Sequence, residues 1–130
     1  MSADPAPARI DYDEVDFDDD LALVDGRPFT GIIFGLDGDG RLRSESHYRD
    51  GLPDGPSEEW TPDGRLERRW IAIRGNGASE AWEWHGNGRM RSYRRFVDRY
   101  AVETKIWDEE GTLLSEEHRP PLAREPREPS

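Results

Sequence analysis

The chain has 130 residues, no cysteine, a net charge of −11, and 33% hydrophobic against 36% charged residues. At this length a single domain is expected, and the lack of cysteine excludes a disulfide framework or a cysteine metal site and fits a reducing compartment. The composition argues against a thick two-layer core. It suits a thin sheet with tryptophan and leucine on one face and charges on the other.

No targeting signal is expected from the sequence. Met1 is not followed by a charged, apolar and small-residue signal, and no apolar run approaches about 18 residues. A net charge of −11 opposes contact with an anionic leaflet, so no membrane partner is expected. The sequence predicts a soluble cytoplasmic protein.

The chain begins with residues 1–9, which are rich in Ala and Pro and are predicted to be disordered. An acidic lead-in segment, residues 10–28, follows and has seven acidic residues among the eleven from Ile10 to Asp20. It has three interpretations: a lead-in strand or loop whose apolar residues touch the sheet, an acidic surface for a basic partner, or a calcium loop. The first is favoured, and no metal site is predicted, because carboxylates alone set no coordination geometry. The partner surface would comprise Asp16, Asp18, Asp19 and Asp20.

A short motif then recurs four times, each copy centred on an anchor glycine. The anchors Gly40, Gly64, Gly88 and Gly111 stand 24, 24 and 23 residues apart. Four positions before them are Leu36, Trp60, Trp84 and Trp107, and two positions after them are Leu42, Leu66, Met90 and Leu113. Self-similarity at a fixed period is typical of a repeat array, and Asp-Gly, Asn-Gly or Glu-Gly between strand-like runs predicts a hairpin turn with glycine at positive φ.

A second break in each unit supports the same fold. Gly51 and Gly75 each lie eleven residues past an anchor, which leaves strands of roughly seven or eight residues. The sequence therefore predicts an all-β fold over residues 29–118: about four β-hairpins of 23–24 residues that continue one antiparallel meander in a single-layer sheet. Residues 119–130 are predicted to form a disordered tail. A further turn is predicted at Gly31 and Gly55, and it is degenerate in later units, where Ser79 and Val102 take its place.

The third unit has a distinctive composition. Trp82 and Trp84 lie at period two, which predicts that they share one strand face, and several arginines follow. The wider column of Trp60, Trp84 and Trp107 either packs as core across the sheet or forms an exposed stripe that binds a partner. Trp82 and Trp84 are therefore candidate partner-binding residues together with the acidic segment.

Catalytic and nucleic-acid functions find little support in the sequence. His47, His85 and His118 are dispersed, and no nucleophile-elbow or phosphate-loop pattern is present, so neither an enzyme nor a cofactor is predicted. Arginine beside aromatic residues can bind single-stranded nucleic acid, but the chain is acidic and its glutamates are expected opposite those arginines. No nucleic-acid partner is expected.

The chain resembles the variant MORN-repeat proteins of bacteria, the YwqK-like group, which includes antitoxins. The matching residues are Pro28-Phe29-Thr30-Gly31, Asp39-Gly40-Arg41-Leu42, Tyr48-Arg49-Asp50-Gly51, Asp54-Gly55, Trp60 and Asp63-Gly64-Arg65-Leu66. The resemblance spans residues 11–118 and implies stacked hairpins in an elongated, twisted sheet. It also implies a function without catalytic residues, namely neutralisation of a toxin by direct binding.

We therefore expect a non-catalytic protein-binding module, an antitoxin or immunity-like protein whose acidic surface suits a basic toxin. The alternative is a structural scaffold that assembles with itself or with another chain through its sheet edges. The sequence does not define the oligomeric state.

Overall fold

The computed structural model describes residues 8–120, which are almost entirely β-strand. Their only helical segment is a short 3-10 turn, Tyr12–Glu14. The strands are β1 (Arg9–Asp11), β2 (Asp16–Asp18), β3 (Leu21–Val24), β4 (Arg27–Pro28), β5 (Gly31–Leu36), β6 (Leu42–Arg49), β7 (Leu52–Trp60), β8 (Leu66–Ala72), β9 (Ala78–Trp84), β10 (Met90–Val97), β11 (Tyr100–Trp107) and β12 (Leu113–His118). The predicted all-β fold is confirmed.

The strands form an open nine-stranded sheet in the order β1-β5-β6-β7-β8-β9-β10-β11-β12. From β5 onward this is chain order, and each strand is antiparallel to the next, so the predicted meander of four hairpins is confirmed. β1 adds to the first edge and is parallel to β5. The smaller sheet, β2-β3-β4, was not predicted, and we call it the head sheet.

Four equivalent turns close the hairpins, and we call them the anchor turns. In the first, the Gly40 N–H donates to the Asp37 carbonyl (3.0 Å) and the Asp37 N–H donates to the Arg41 carbonyl (2.9 Å). The same pair of bonds recurs at residues 61–65, 85–89 and 108–112. All four anchors have positive φ, between 79° and 90°, as the sequence predicts. This geometry is a three-residue hairpin loop with glycine in the left-handed position.

The two apolar positions of each repeat are cross-strand partners. Leu36 lies opposite Leu42, Trp60 opposite Leu66, Trp84 opposite Met90, and Trp107 opposite Leu113. Immediately beyond each pair the register shifts by one residue, so the residue three positions past the anchor is a β-bulge: Arg43, Glu67, Arg91 and Leu114. A bulge bends its strand and increases the local twist. The sequence pattern did not reveal these four bulges.

The turn predicted at Gly31, Gly55, Ser79 and Val102 is wrong, because all four residues lie inside strands. Gly55, Ser79 and Val102 instead coincide with register irregularities in β7, β9 and β11. A glycine within a strand commonly marks a bulge, so the sequence signal was real but its structural meaning differed. The strands are connected at Asp50–Gly51 and at residues 73–77, where the sequence predicts the second break through Gly51 and Gly75, and at Asp98–Arg99.

Strand alternation divides the side chains of the large sheet between two faces. The tryptophan face carries Trp60, Trp84 and Trp107, together with the cross-strand row Glu58, Arg69, Trp82, Tyr93 and Lys105. The serine face carries the row Ile33, Ser46, Ser57, Trp70, Ala81 and Arg94. Ser57 and Ser92 on this face are buried.

The apolar core lies at one end of the serine face, under the head sheet. Val15, Ala22 and Ile33 are its buried centre, and Ile10, Val24, Phe29 and Tyr48 pack around them. The lead-in segment therefore does contact the sheet through Ile10 and Val15. Tyr12 and Phe17, expected to do the same, are 57% and 40% exposed.

The described residues cover only parts of the predicted disordered ends. Residues 1–7 and 121–130 lie outside them. Arg9, assigned from the sequence to a disordered N-terminus, begins β1, and the Ala8 carbonyl accepts a hydrogen bond from the Ile32 N–H (2.8 Å). At the other end, the Arg119 N–H donates to the Val102 carbonyl (2.8 Å), so the strand pairing extends just past β12.

Candidate functional site

The four candidate aspartates lie on the first hairpin of the head sheet. Asp16 and Asp18 belong to β2, and Asp19 and Asp20 form its two-residue loop to β3. All four are exposed, and none forms an ion pair with another residue in the described part of the chain. Asp19 adopts φ 53°, in the left-handed region, which fixes the direction in which this loop turns.

The candidate tryptophans Trp82 and Trp84 lie in β9 on the tryptophan face, as the period-two spacing predicts. Both are half-buried, and the Trp82 ring centroid is 5.7 Å from that of Tyr93. The head sheet packs on the serine face instead. The acidic residues and the two tryptophans, which the sequence names together as partner-binding candidates, therefore lie on opposite sides of the large sheet.

Other aromatic residues accompany the aspartates. A groove of about 920 Å³ runs between the head sheet and the serine face, and we call it the head groove. Its lining includes Phe17, Asp19, Asp20, Tyr48, Trp70 and Arg99. Tyr48 and Trp70 are half-buried and belong to the large sheet, whereas Phe17 and the two aspartates belong to the head hairpin. The groove thus combines carboxylates with aromatic residues, and these are not Trp82 and Trp84, the aromatic candidates from the sequence.

Backbone hydrogen bonds fix the head sheet to a tip of the large one. The Ala22 N–H donates to the Gly51 carbonyl (2.8 Å), and the Gly51 N–H donates to the Phe29 carbonyl (2.8 Å). The Asp50 N–H is capped by the Thr30 hydroxyl (2.9 Å). A Cβ built at Gly51 would lie 2.5 Å from Leu21 Cδ1, so glycine allows the two sheets to meet here. Backbone hydrogen bonds therefore hold the head sheet against the Asp50–Gly51 tip of the large sheet.

The environment of Tyr48 also reflects this packing. Burial, and to a lesser degree the neighbouring Tyr12, raises the pKa of the Tyr48 phenol. The shift favours the neutral phenol, and this uncharged side chain lines the head groove.

Arginines of the sheet are mostly paired with carboxylates. On the serine face Arg68 contacts Glu59 (3.7 Å) and Glu83 (3.9 Å), and Arg94 contacts Glu83 (3.8 Å). On the tryptophan face Arg69 contacts Glu58 (3.4 Å) and Arg95 contacts Glu103 (3.8 Å). This cross-strand pairing of opposite charges is the arrangement expected from the sequence. Each exposed pair stabilises the sheet only slightly.

The tryptophan face has its own apolar feature along the anchor turns. Trp60, Trp84 and Trp107 are half-buried, and the row ends in Leu36 and Leu113, which are 46% and 45% exposed. A groove of about 740 Å³ lies beside Trp60, Leu42 and Pro62. Further along this face, burial and a 2.7 Å hydrogen bond to Glu80 raise the pKa of Tyr93 to about 12. The row is neither fully core nor fully exposed.

Hydrogen bonds also link successive hairpins at the anchor turns. Arg43 Nε donates to the Trp60 carbonyl (2.7 Å), and Asn87 Nδ2 donates to the Glu109 carbonyl (2.7 Å). Within the turns, Asp37 and Asp108 accept backbone N–H bonds of 2.9–3.0 Å. These bonds to Arg41 and Asp39 are the principal reason that the pKa of Asp37 is lowered, and a hydrogen bond from Thr61 lowers that of Asp63. In the sequence, the side chains that make these turn hydrogen bonds can be found as an Asp or Thr three positions before the anchor glycine.

The histidines have structural contacts and do not converge. His47 Nδ1 lies 2.9 Å from the Pro56 carbonyl, and His85 Nε2 lies 2.8 Å from the Trp107 carbonyl. His118 is within 3.7 Å of Glu103 and Glu116. Within residues 8–120 no group of three His, Asp or Glu is placed to hold a metal ion, and no helix there is long and apolar enough to cross a membrane.

Comparison with known proteins adds little. No protein-family model matches the chain, and no curated protein matches it. The chain is similar to part of a chain in the crystal structure of GtfA/B complex bound to UDP and GlcNAc, with 15% identity and a TM-score of 0.32. The similarity covers 81% of this chain and 19% of that one, so the chain spans about a fifth of the length of that structure. At this TM-score we draw nothing from the likeness, and the resemblance to MORN-repeat proteins stays a prediction.

Proposed function

We propose that this chain is a non-catalytic protein-binding module that neutralises a basic protein partner by direct binding, as an antitoxin or immunity-like protein does. The observation that carries the proposal is the head groove, which is lined by the exposed residues Asp19 and Asp20 together with the aromatic residues Phe17, Tyr48 and Trp70. Because the chain lacks cysteine and suits a reducing compartment, we expect the encounter to occur in the cytoplasm.

Two physical roles follow from this combination. Residues 1–28 have a net charge of −7, and such a local excess of one sign accelerates encounter with an oppositely charged protein. Aromatic side chains in a groove provide large contact area at a small cost in conformational entropy and commonly dominate binding energy. The aspartates should therefore control association, and the aromatic residues should control dissociation.

The test begins with the tagged full-length chain, which is used to capture binding proteins from a lysate of the native host. Binding kinetics are then measured with purified variants. Changing Asp16, Asp18, Asp19 and Asp20 together to asparagine should slow association and flatten its salt dependence, with dissociation nearly unchanged. Trp70→Leu should accelerate dissociation and cost about 2 kcal/mol or more. Phe17→Ala, at a site that is 40% exposed, serves as a second groove variant that is not expected to disturb folding.

Trp82→Leu is the matched control, because it removes the same side chain from the opposite face of the sheet. It should leave both rate constants of the folded protein unchanged. If Trp82→Leu weakens binding and Trp70→Leu does not, the binding surface is the tryptophan face and the groove is the wrong site. If no basic protein is recovered at all, the neutralisation proposal fails.

A second candidate function rests on the edge strand β12. Among the described residues no strand pairs with its outer side, and Leu113 and Leu114 there are 45% and 64% exposed. Such an edge can extend into another chain, as a structural scaffold would require. Glu116 and Glu117 on the same strand oppose this, because charge on an edge discourages pairing. Sedimentation that changes with protein concentration would favour the scaffold.

A further inference from the structure

Among the described residues, the carboxylates that line the head groove form no ion pair, unlike several glutamates that lie between strands of the large sheet. Arginines on both faces of the large sheet contact glutamates of neighbouring strands. Within the described part of the chain, Asp19 and Asp20 contact no basic side chain within ion-pair distance. Among residues 8–120, Arg99 is the one cation that lines the groove, and it donates to the Gly75 carbonyl (2.9 Å), which holds it at the turn of residues 73–77.

The aromatic residues of the groove restrict which chemical groups a ligand can place there. Tyr48 and Trp70 line the same groove as Asp19 and Asp20. A planar guanidinium satisfies both features, because it stacks on aromatic rings and forms forked hydrogen bonds with carboxylates. A lysine ammonium lacks the planar stacking surface, and a purely apolar side chain would leave the carboxylates without a partner.

The size of the groove indicates more than one side chain. At about 920 Å³ it is as large as a site for a compact ligand and exceeds the volume of a single arginine. The lining of the groove also includes Leu52 and Ile73, of which Ile73 is 45% exposed. An extended segment of several residues would cover this apolar part while its arginine reached the aspartates.

The groove is also preorganised. Hydrogen bonds of 2.8 Å at Gly51 hold the head sheet, and the two-residue loop at Asp19–Asp20 is closed by the pairing of Asp18 with Leu21. Rigid walls reduce the ordering cost of binding. We propose, resting on the proposed function, that the head groove binds an extended segment of the basic partner and receives one arginine side chain, with its guanidinium between the Asp19 and Asp20 carboxylates and the Tyr48 and Trp70 rings.

The test uses ¹⁵N-labelled full-length protein and the peptide Ac-Gly-Arg-Gly-NH2, followed by NMR. We expect saturable shifts at the Trp70 indole N–H and at the amides of Asp19 and Asp20, with the dissociation constant rising as salt is added. The isosteric peptide with citrulline in place of arginine keeps the shape and removes the charge. It should bind about tenfold more weakly, since charge-assisted hydrogen bonds and cation–π contact are lost.

Two double variants distinguish direct contact of the peptide with the groove carboxylates from long-range attraction by the acidic protein as a whole. Asp19→Asn/Asp20→Asn removes two charges inside the groove and should weaken arginine-peptide binding about tenfold. Asp13→Asn/Asp25→Asn removes two charges from exposed sites outside the lining of the groove and should change affinity less than about twofold. Equal effects of the two variants, equal binding of the citrulline peptide, or shifts centred elsewhere would overturn the proposal.

The outcomes also separate this inference from the proposed function. If a basic partner is captured and binds the Asp19→Asn/Asp20→Asn variant as tightly as the unmodified chain, neutralisation survives and the arginine site is wrong. If the peptide binds as expected and no basic partner exists, the arginine site stands and neutralisation is wrong. If the same variant instead abolishes a dimer in sedimentation, the occupant is a second copy of this chain and the proposal is overturned.

Discussion

The two long edges of the hairpin array differ in regularity, although the same strands connect them. At the anchor-turn edge, four loops repeat the same two backbone hydrogen bonds and the same glycine conformation. At the opposite edge, which we call the tip edge, the connections are Asp50–Gly51, residues 73–77 and Asp98–Arg99, and no two of them have the same sequence. The head sheet and the head groove are built at the tip edge. The repeated edge therefore defines the fold, and the variable edge supplies the distinctive surface.

The largest expected effect is at the tip edge, where Gly51→Ala should destabilise the protein by about 2–4 kcal/mol. The substitution imposes an L side chain on φ 85° and forces its Cβ to within 2.5 Å of Leu21 Cδ1 and 3.1 Å of the Ala22 carbonyl. Gly75→Ala is the control at the next tip, with φ 67° but only ordinary contact with Leu52. Denaturant unfolding should show a clearly larger loss for Gly51. Equal losses would mean that the head sheet does not dock on this tip.

At the anchor-turn edge the expected effect is smaller because the glycines there lie in open space. Gly40→Ala should cost about 1–2 kcal/mol through its φ of 79° alone. Gly38→Ala, two residues earlier in the same loop, meets no atoms and has no positive φ, so it should change stability by less than about 0.5 kcal/mol. Thermal unfolding of the two variants tests the assigned loop register. If Gly38→Ala is the more damaging, the register is wrong.

The regular edge could be predicted from the sequence because its information is local. An Asp-Gly or Asn-Gly pair between strand-like runs defines a hairpin without reference to distant residues, and four copies in one frame reinforce one another. The head sheet could not be predicted in the same way. Its position depends on the fit of Leu21 and Ala22 against Gly51, about thirty residues away, and no local pattern reports such a contact.

Trp70 was missed as a groove residue for a related reason. It lies four residues after Leu66, and strict alternation would place both side chains on the tryptophan face. The bulge at Glu67 shifts the register between Trp60–Leu66 and Glu59–Arg68, so Trp70 lies on the serine face instead. The irregularity in β9 lies at Ser79, before both Trp82 and Trp84, and no bulge separates the two, so their shared face was predicted correctly. Prediction of the candidate site thus failed where one bulged residue moves the following side chains of a strand to the other face of the sheet.

The two edges should also respond to opposite ends of the pH scale. At the tip edge, burial raises the pKa of Tyr48, so the folded state favours the neutral phenol more than the unfolded state does. Its contribution is fully present below about pH 10 and is lost as the pH rises through the folded-state pKa. Between pH 9 and about 12, the free energy of unfolding should therefore decrease less for Tyr48→Phe than for the unmodified chain. Identical slopes would mean that Tyr48 is solvated like a free tyrosine.

The anchor-turn edge should show the smallest effect, at acid pH. The backbone N–H of Arg41 is the main cause of the lowered pKa of Asp37, so the folded state favours the carboxylate. That contribution is present above the ordinary value of 3.8 and is lost as the pH falls through the folded-state pKa. The Asp37→Asn variant keeps an acceptor oxygen for the turn but has no carboxyl to protonate. Its free energy of unfolding should therefore fall less steeply below pH 3.8 than that of the unmodified chain.

Asp39→Asn is the control, because it removes the same charge from a side chain that accepts no hydrogen bond within residues 37–41. If Asp39→Asn reduces the loss of stability at acid pH as much as Asp37→Asn does, the effect is due to net charge. The hydrogen bonds of the Asp37 carboxylate would then not contribute to the pH dependence of the anchor-turn edge.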